Sequence, residues 1–201
     1  SAPHGLVFDC NSNGVEDFDD ILSGSSSDLN TNGVPDDCEL LATPYCFGTG
    51  CPCGNNDPSA GCANSTGVGA MMVATGTTSI SVDDLVLTST GIVPNKFGVY
   101  FMGPMAGNLP FGDGLRCALS QPPPGLGVRR YNPPTNSGPT GVLTLGPGIA
   151  SYAIATFPMA YWPMPGATWN FQCWYRDPFG ACPPPVPGWN TSNAMAVLFG
   201  L

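Results

Sequence analysis

From residue 67 onward the chain is a series of short apolar runs, each cut off by Gly, Pro or Asn. GAMMVAT, SISVDDLVLTST, FGVYFMG, GVLTLG, ASYAIATF, TWNFQCWYR and NAMAVLFGL are rich in β-branched and aromatic residues and read as strands. No stretch here keeps a 3.6-residue period. The text therefore predicts a mainly β chain, with an antiparallel β-sandwich or jelly-roll-like domain over 67–201. In TWNFQCWYR, alternation puts Trp169, Phe171, Cys173 and Tyr175 on one face, and Asn170, Gln172, Trp174 and Arg176 on the other. The 27 Gly and 23 Pro approach a composition associated with disorder, but the 42% apolar fraction supplies a core. Strands joined by many turns reconcile the two.

Residues 1–43 are written differently. Nine of the 14 acidic residues fall in the first 40, and no Lys or Arg precedes Lys96. A phosphate-binding surface needs a basic patch, so a nucleic-acid partner is not expected. The acidic residues instead form a tandem repeat, DCNSNGVEDFDD from Asp9 and DLNTNGVPDDCE from Asp28. An EF-hand-type loop takes ligands at positions 1, 3, 5, 7, 9 and 12, with Gly at position 6 for the sharp turn. In the second loop these are Asp28, Asn30, Asn32, the Val34 carbonyl, Asp36 and Glu39, around Gly33. In the first they are Asp9, Asn11, Asn13, the Val15 carbonyl, Asp17 and Asp20, around Gly14. Oxygen donors without thiolate or imidazole select a hard ion, and their number favours Ca²⁺ over Mg²⁺. Two Ca²⁺ sites are expected. A helix is expected only after each loop, over DFDDILS and PDDCELL.

A loop with at most an exiting helix resembles the calcium loops of dockerin modules and thrombospondin type 3 repeats, over about residues 9–41. The helices here are shorter than those that carry the cohesin-binding face of dockerins, so cohesin binding is not implied. Paired loops of this kind pack with approximate two-fold symmetry, which implies a bridge between Cys10 and Cys38. Residues 45–201 resemble a β-rich domain recurrent in secreted bacterial proteins. The matching text is YCFG, Asn64-Ser65-Thr66-Gly67, GDGLRC, WNFQCWYRDP and Asn190-Thr191-Ser192-Asn193. That resemblance implies no reaction.

Nine Cys suit an oxidising, extracellular compartment, and the odd number leaves one thiol free or joined to another chain. Residues 44–66 hold Cys46, Cys51, Cys53 and Cys62 and read as a cross-linked, loop-rich junction. Their spacing lacks the paired knuckles of a zinc site, so disulfides are expected. Cys173 and Cys182 are close enough in sequence to close a small loop. No run reaches the length of a membrane span. A start at Ser-Ala-Pro reads as a mature secreted product.

Catalytic devices are scarce. The only His is His4, and no phosphate loop, dinucleotide fingerprint or HExxH occurs. Asp83 and Asp84 read as strand neighbours pointing to opposite faces, and Asp177 as a turn residue paired with Arg176. Trp162, Trp169, Trp174 and Trp189 form either core or a sugar platform. Asn64 and Asn190 sit in acceptor sequons. With only 9% charged residues, the surface suits close packing against copies of itself. The expectation is a non-catalytic, calcium-binding structural protein of the cell exterior that self-assembles into a filament or fibre. The alternative is an extracellular module binding carbohydrate or protein.

Overall fold

The computed structural model describes residues 8–29, 31–182 and 188–200. It is mainly β, with antiparallel sheets arranged as a sandwich. The large sheet runs β1 (Ala42–Tyr45), β11 (Trp189–Leu198), β10 (Thr168–Arg176), β4 (Phe97–Gly103) and β7 (Arg129–Arg130); β8 (Thr135–Asn136) also pairs with β4. A smaller sheet joins β2 (Met71–Thr75), β3 (Val86–Thr90) and β9 (Leu143–Leu145). Strands β5 (Met105–Phe111) and β6 (Gly114–Leu119) form a hairpin.

Both faces of the large sheet are covered. On one side, Tyr100, Met102, Phe171, Tyr175, Met195 and Val197 pack with Met72, Leu85, Leu87 and Leu143 of the smaller sheet and its approach. On the other, Leu115 and Cys117 of β6 meet Ala194 and the Cys-rich segment. Trp169, Phe171, Cys173 and Tyr175 all lie in the first core, as their alternation predicts. Asn170 and Gln172 face the hairpin side and are buried and hydrogen-bonded.

Three readings of local structure are corrected. ASYAIATF is helix α2 (Ile149–Thr156), not strand. The Asp83 carboxylate accepts the N–H groups of Ala150 (2.8 Å) and Ser151 (2.9 Å), satisfying donors that a helix start leaves open. Eight residues are too few for a 3.6 period to stand out. Asp83 and Asp84 precede β3 in a loop rather than sitting in a strand. Asp84 there accepts the N–H and hydroxyl of Thr77. DFDDILS is indeed helix α1 (Asp17–Ser23), closed by Gly24 in the left-handed region. PDDCELL, however, makes only a 3-10 turn over Asp36–Cys38, because Glu39 is already extended and its carbonyl accepts the Thr78 N–H on the way into β1.

The disulfides are Cys10–Cys38, Cys46–Cys117, Cys51–Cys62 and Cys53–Cys182. Cys182 thus bonds Cys53, not Cys173. Cys173 is a free thiol in the core, fully buried, and burial pushes its pKa up to about 12. As placed it cannot cross-link subunits.

Candidate metal centre

The two acidic loops fold by one hydrogen-bond scheme, repeated 19 residues apart. The carboxylate at position 1 accepts the N–H groups at positions 5 and 6: Asp9 from Asn13 (3.1 Å) and Gly14 (2.9 Å), Asp28 from Asn32 (3.0 Å) and Gly33 (2.9 Å). The amide oxygen at position 5 accepts the N–H at position 7, Asn13 from Val15 and Asn32 from Val34, at 2.8 Å in each loop. Gly14 and Gly33 turn through φ of 88° and 85°, where a side chain would be strained. Position 4 is left-handed in both, at Ser12 and Thr31.

Positions 5 and 12 also meet in both loops. Asn13 Nδ2 lies 2.9 Å from Asp20 Oδ2, and Asn32 Nδ2 lies 2.8 Å from Glu39 Oε2. In the first loop Asn11 joins them, its Nδ2 reaching Asp20 Oδ2 (3.2 Å) and Asp37 Oδ2 (3.0 Å). Hydrogen bonds from Ser25, and from Asn13 and Asn11, hold the Asp20 carboxyl below its ordinary pKa against the opposing effect of burial. As placed, Asn13 and Asn32 each give the amide oxygen to the backbone and the amide nitrogen to the carboxylate at position 12, which closes the loop on itself. Asn30 lies outside the described residues.

The carboxylates at position 9 also brace the loops from within. Asp17 Oδ1 accepts the Cys10 N–H (2.8 Å), while buried Asp36 accepts the Leu29 N–H and the Ser27 hydroxyl (2.6 Å). Each ties the end of its loop to position 2. Hydrogen bonds from Asp17 N–H to the Phe8 carbonyl and Asp36 N–H to the Ser27 carbonyl, both 2.8 Å, complete the match. Cys10–Cys38 then clips the first loop to the second. The pattern in sequence predicts the positions but not this division of labour.

Elsewhere the singled-out residues are mostly structural. Asp177 makes no pair with Arg176. It is buried, and its Oδ2 accepts the Ser65 N–H (3.0 Å). Asp113 is buried on the same corner, where burial first, and the charge of Asp177 second, raise its pKa. Asn64 donates to the Gly91 carbonyl and the Tyr175 hydroxyl, and Asn190 to the carbonyls of Cys62 and Ala63. Both sequon amides are therefore occupied and buried. The tryptophans share no common platform: Trp169 stacks on Tyr161 in the core, and the Trp162 indole donates to the Phe157 carbonyl. Trp174 and Trp189 form an edge-on pair at 6.4 Å. His4 lies outside the described residues. Among the described residues no helix is long and apolar enough to cross a membrane. The chain matches no protein-family model, no curated protein and no solved structure.

Proposed function

We propose that the protein is a non-catalytic, calcium-binding structural subunit of the extracellular space, which assembles with copies of itself into a filament or fibre. The observation that carries the reading is the residue-for-residue repetition of one loop geometry, clipped by Cys10–Cys38. In the first loop Asp9, Asn11, Asn13, Asp17, Asp20 and the Val15 carbonyl would hold one Ca²⁺; Asp28, Asn30, Asn32, Asp36, Glu39 and the Val34 carbonyl would hold the other. The bound ion supplies charge neutralisation. The buried positions around it are Asp17, Asp20, Ser26, Pro35 and Asp36, so little apolar burial holds this segment. A small unit without an apolar core needs bridges or metal to stay folded. The four disulfides fit an oxidising compartment.

Chelation is the test. Removing Ca²⁺ is expected to dissolve the native assembly or to expose residues 8–41 to protease. Electron micrographs of unchanged polymers after prolonged chelation, with calcium verified as absent, would reject the mechanism. A second reading, an adhesion module for carbohydrate or protein, is favoured by the groove of about 350 Å³ between Phe97, Trp174 and Arg176. A monomer that binds a glycan, and loses it in Trp174→Ala, would favour that reading.

A further inference from the structure

Only five cations occur in the chain, and three of them, Arg116, Arg130 and Arg176, gather around one aromatic cluster. The guanidinium carbons of Arg130 and Arg176 lie 5.1 and 5.8 Å from the Trp174 ring centre, and that of Arg116 lies 5.7 Å from Phe111. Grooves of about 350 and 100 Å³ flank Trp174, and among the described residues no carboxylate lines either. The indole nitrogens of Trp174 and Trp189 and Nε of Arg116 are buried donors without a partner among the described residues. A surface that offers donors, positive charge and ring faces calls for a partner with acceptor oxygens, negative charge and apolar groups.

The chain carries such a partner at its other end. Nine acidic residues lie in the first 40, and two bound divalent cations would offset only four of those charges. Helix α1 sets Glu16, its N-cap residue, and Asp19 beside Phe18 and Leu22, which are 68% and 74% exposed. Glu16 and Asp19 fall at positions 8 and 11 of the loop, outside the ligand set. The lead segment enters the large sheet at β1, one edge, whereas Arg130 lies on β7 at the opposite edge. The two edges stand four strand spacings apart, about 19 Å.

We infer that the Arg–Trp174 patch is the docking surface for the acidic lead segment, helix α1 above all, of a second copy of this chain. The inference rests on the assembly reading and names its interface. Surfaces on opposite edges make a heterologous contact, which propagates instead of closing into a pair. The attraction is between charges, so salt weakens it.

The test uses two full-length variants in calcium. Arg130→Glu with Arg176→Glu reverses the charge of the patch; Glu16→Arg with Asp19→Arg reverses that of the segment. Each alone is expected to raise the concentration needed for polymerisation by about tenfold or more. Mixed in equal amounts they restore polymers, because the unchanged segment of the first docks on the unchanged patch of the second, and the basic segment of the second docks on the acidic patch of the first. Restoration also shows that both are folded. Either variant polymerising like the wild type, or a mixture that stays dispersed, overturns the interface while leaving assembly intact. Wild-type chains that remain monomeric overturn the assembly reading. Monomers that bind a uronate polysaccharide, and lose it in the patch variant, assign the patch to a glycan and overturn the inference.

Discussion

Replacing Cys10 and Cys38 together by Ser tests whether the lead segment and its proposed calcium fold as one event. The bridge closes a loop of 28 residues in sequence. Loop-closure entropy for that length is worth about 3.5 kcal/mol of stability. The segment has little else to set against it, since its buried positions are mainly carboxylates rather than apolar side chains. If the metal-free segment is unfolded, the whole term appears in calcium binding, a weakening of roughly 300-fold. A segment partly folded without metal returns less, and about tenfold is the least expected. Calorimetric titration with Ca²⁺ reads the affinity, and limited proteolysis in chelator reads the folding of residues 8–41. The β-sandwich should melt as before, because its three bridges remain. Calcium affinity within about twofold of wild type, with unchanged protease resistance, would refute the coupling.

Two predictions concern the sandwich itself. Gln172→Met removes a buried amide that donates to the carbonyls of Leu115 and Ser192 and accepts the Cys117 N–H. Leu115 keeps its bond from Thr191, so two groups are orphaned, costing about 4 kcal/mol in chemical denaturation with the disulfides intact; a loss under about 1 kcal/mol would contradict the network. Asp113→Asn should raise the melting temperature at neutral pH. The Asp113 carboxyl has a raised folded pKa, so its stabilising effect is present below the ordinary pKa of about 3.9 and is lost as pH rises through the folded value. The gain from the amide should shrink in acid, and a gain equal at both pH values would show that the carboxylate is not the cause.

What the sequence discloses depends on how local its cause is. The acidic loops are legible because the hydrogen bonds that shape them span nine residues or fewer, apart from those that Asn11 and Ser26 donate to Asp37. Strand β10 is legible because both its faces keep alternation despite a bulge after Gln172. Strand β5 is not, since most of its residues are exposed and Pro110 interrupts it, so no apolar alternation marks it. Helix α2 depends on a cap from Asp83, 67 residues away. The Cys53–Cys182 bridge spans 129 residues, and spacing alone cannot select it. The Arg–Trp174 patch collects β4, β6, β7 and β10, which no single stretch of text adjoins.

The polar run Asn190-Thr191-Ser192-Asn193 is buried in a central strand, an unusual place for four hydrogen-bonding side chains. Its reason lies in the segment opposite. Residues 46–70 cross the sheet as loop, and a buried loop leaves backbone groups without ladder partners. Asn190 takes the carbonyls of Cys62 and Ala63 in that loop, while Thr191 takes that of Leu115 in β6 and Asn193 pairs both with the N–H and with the carbonyl of Met72 in β2. Side chains thus do what a neighbouring strand would otherwise do. The junction is fixed to the sheet by the Asn190 bonds, to the hairpin by Cys46–Cys117 and to the loop after β10 by Cys53–Cys182. Strand β1, which leads from the acidic loops into that junction, is itself paired along β11 from Ala42 to Tyr45. In a head-to-tail assembly, a constant rotation from copy to copy requires that docking segment and docking surface keep a constant relation within each chain. Amide side chains in place of charges meet that requirement without placing unpaired ions in the core.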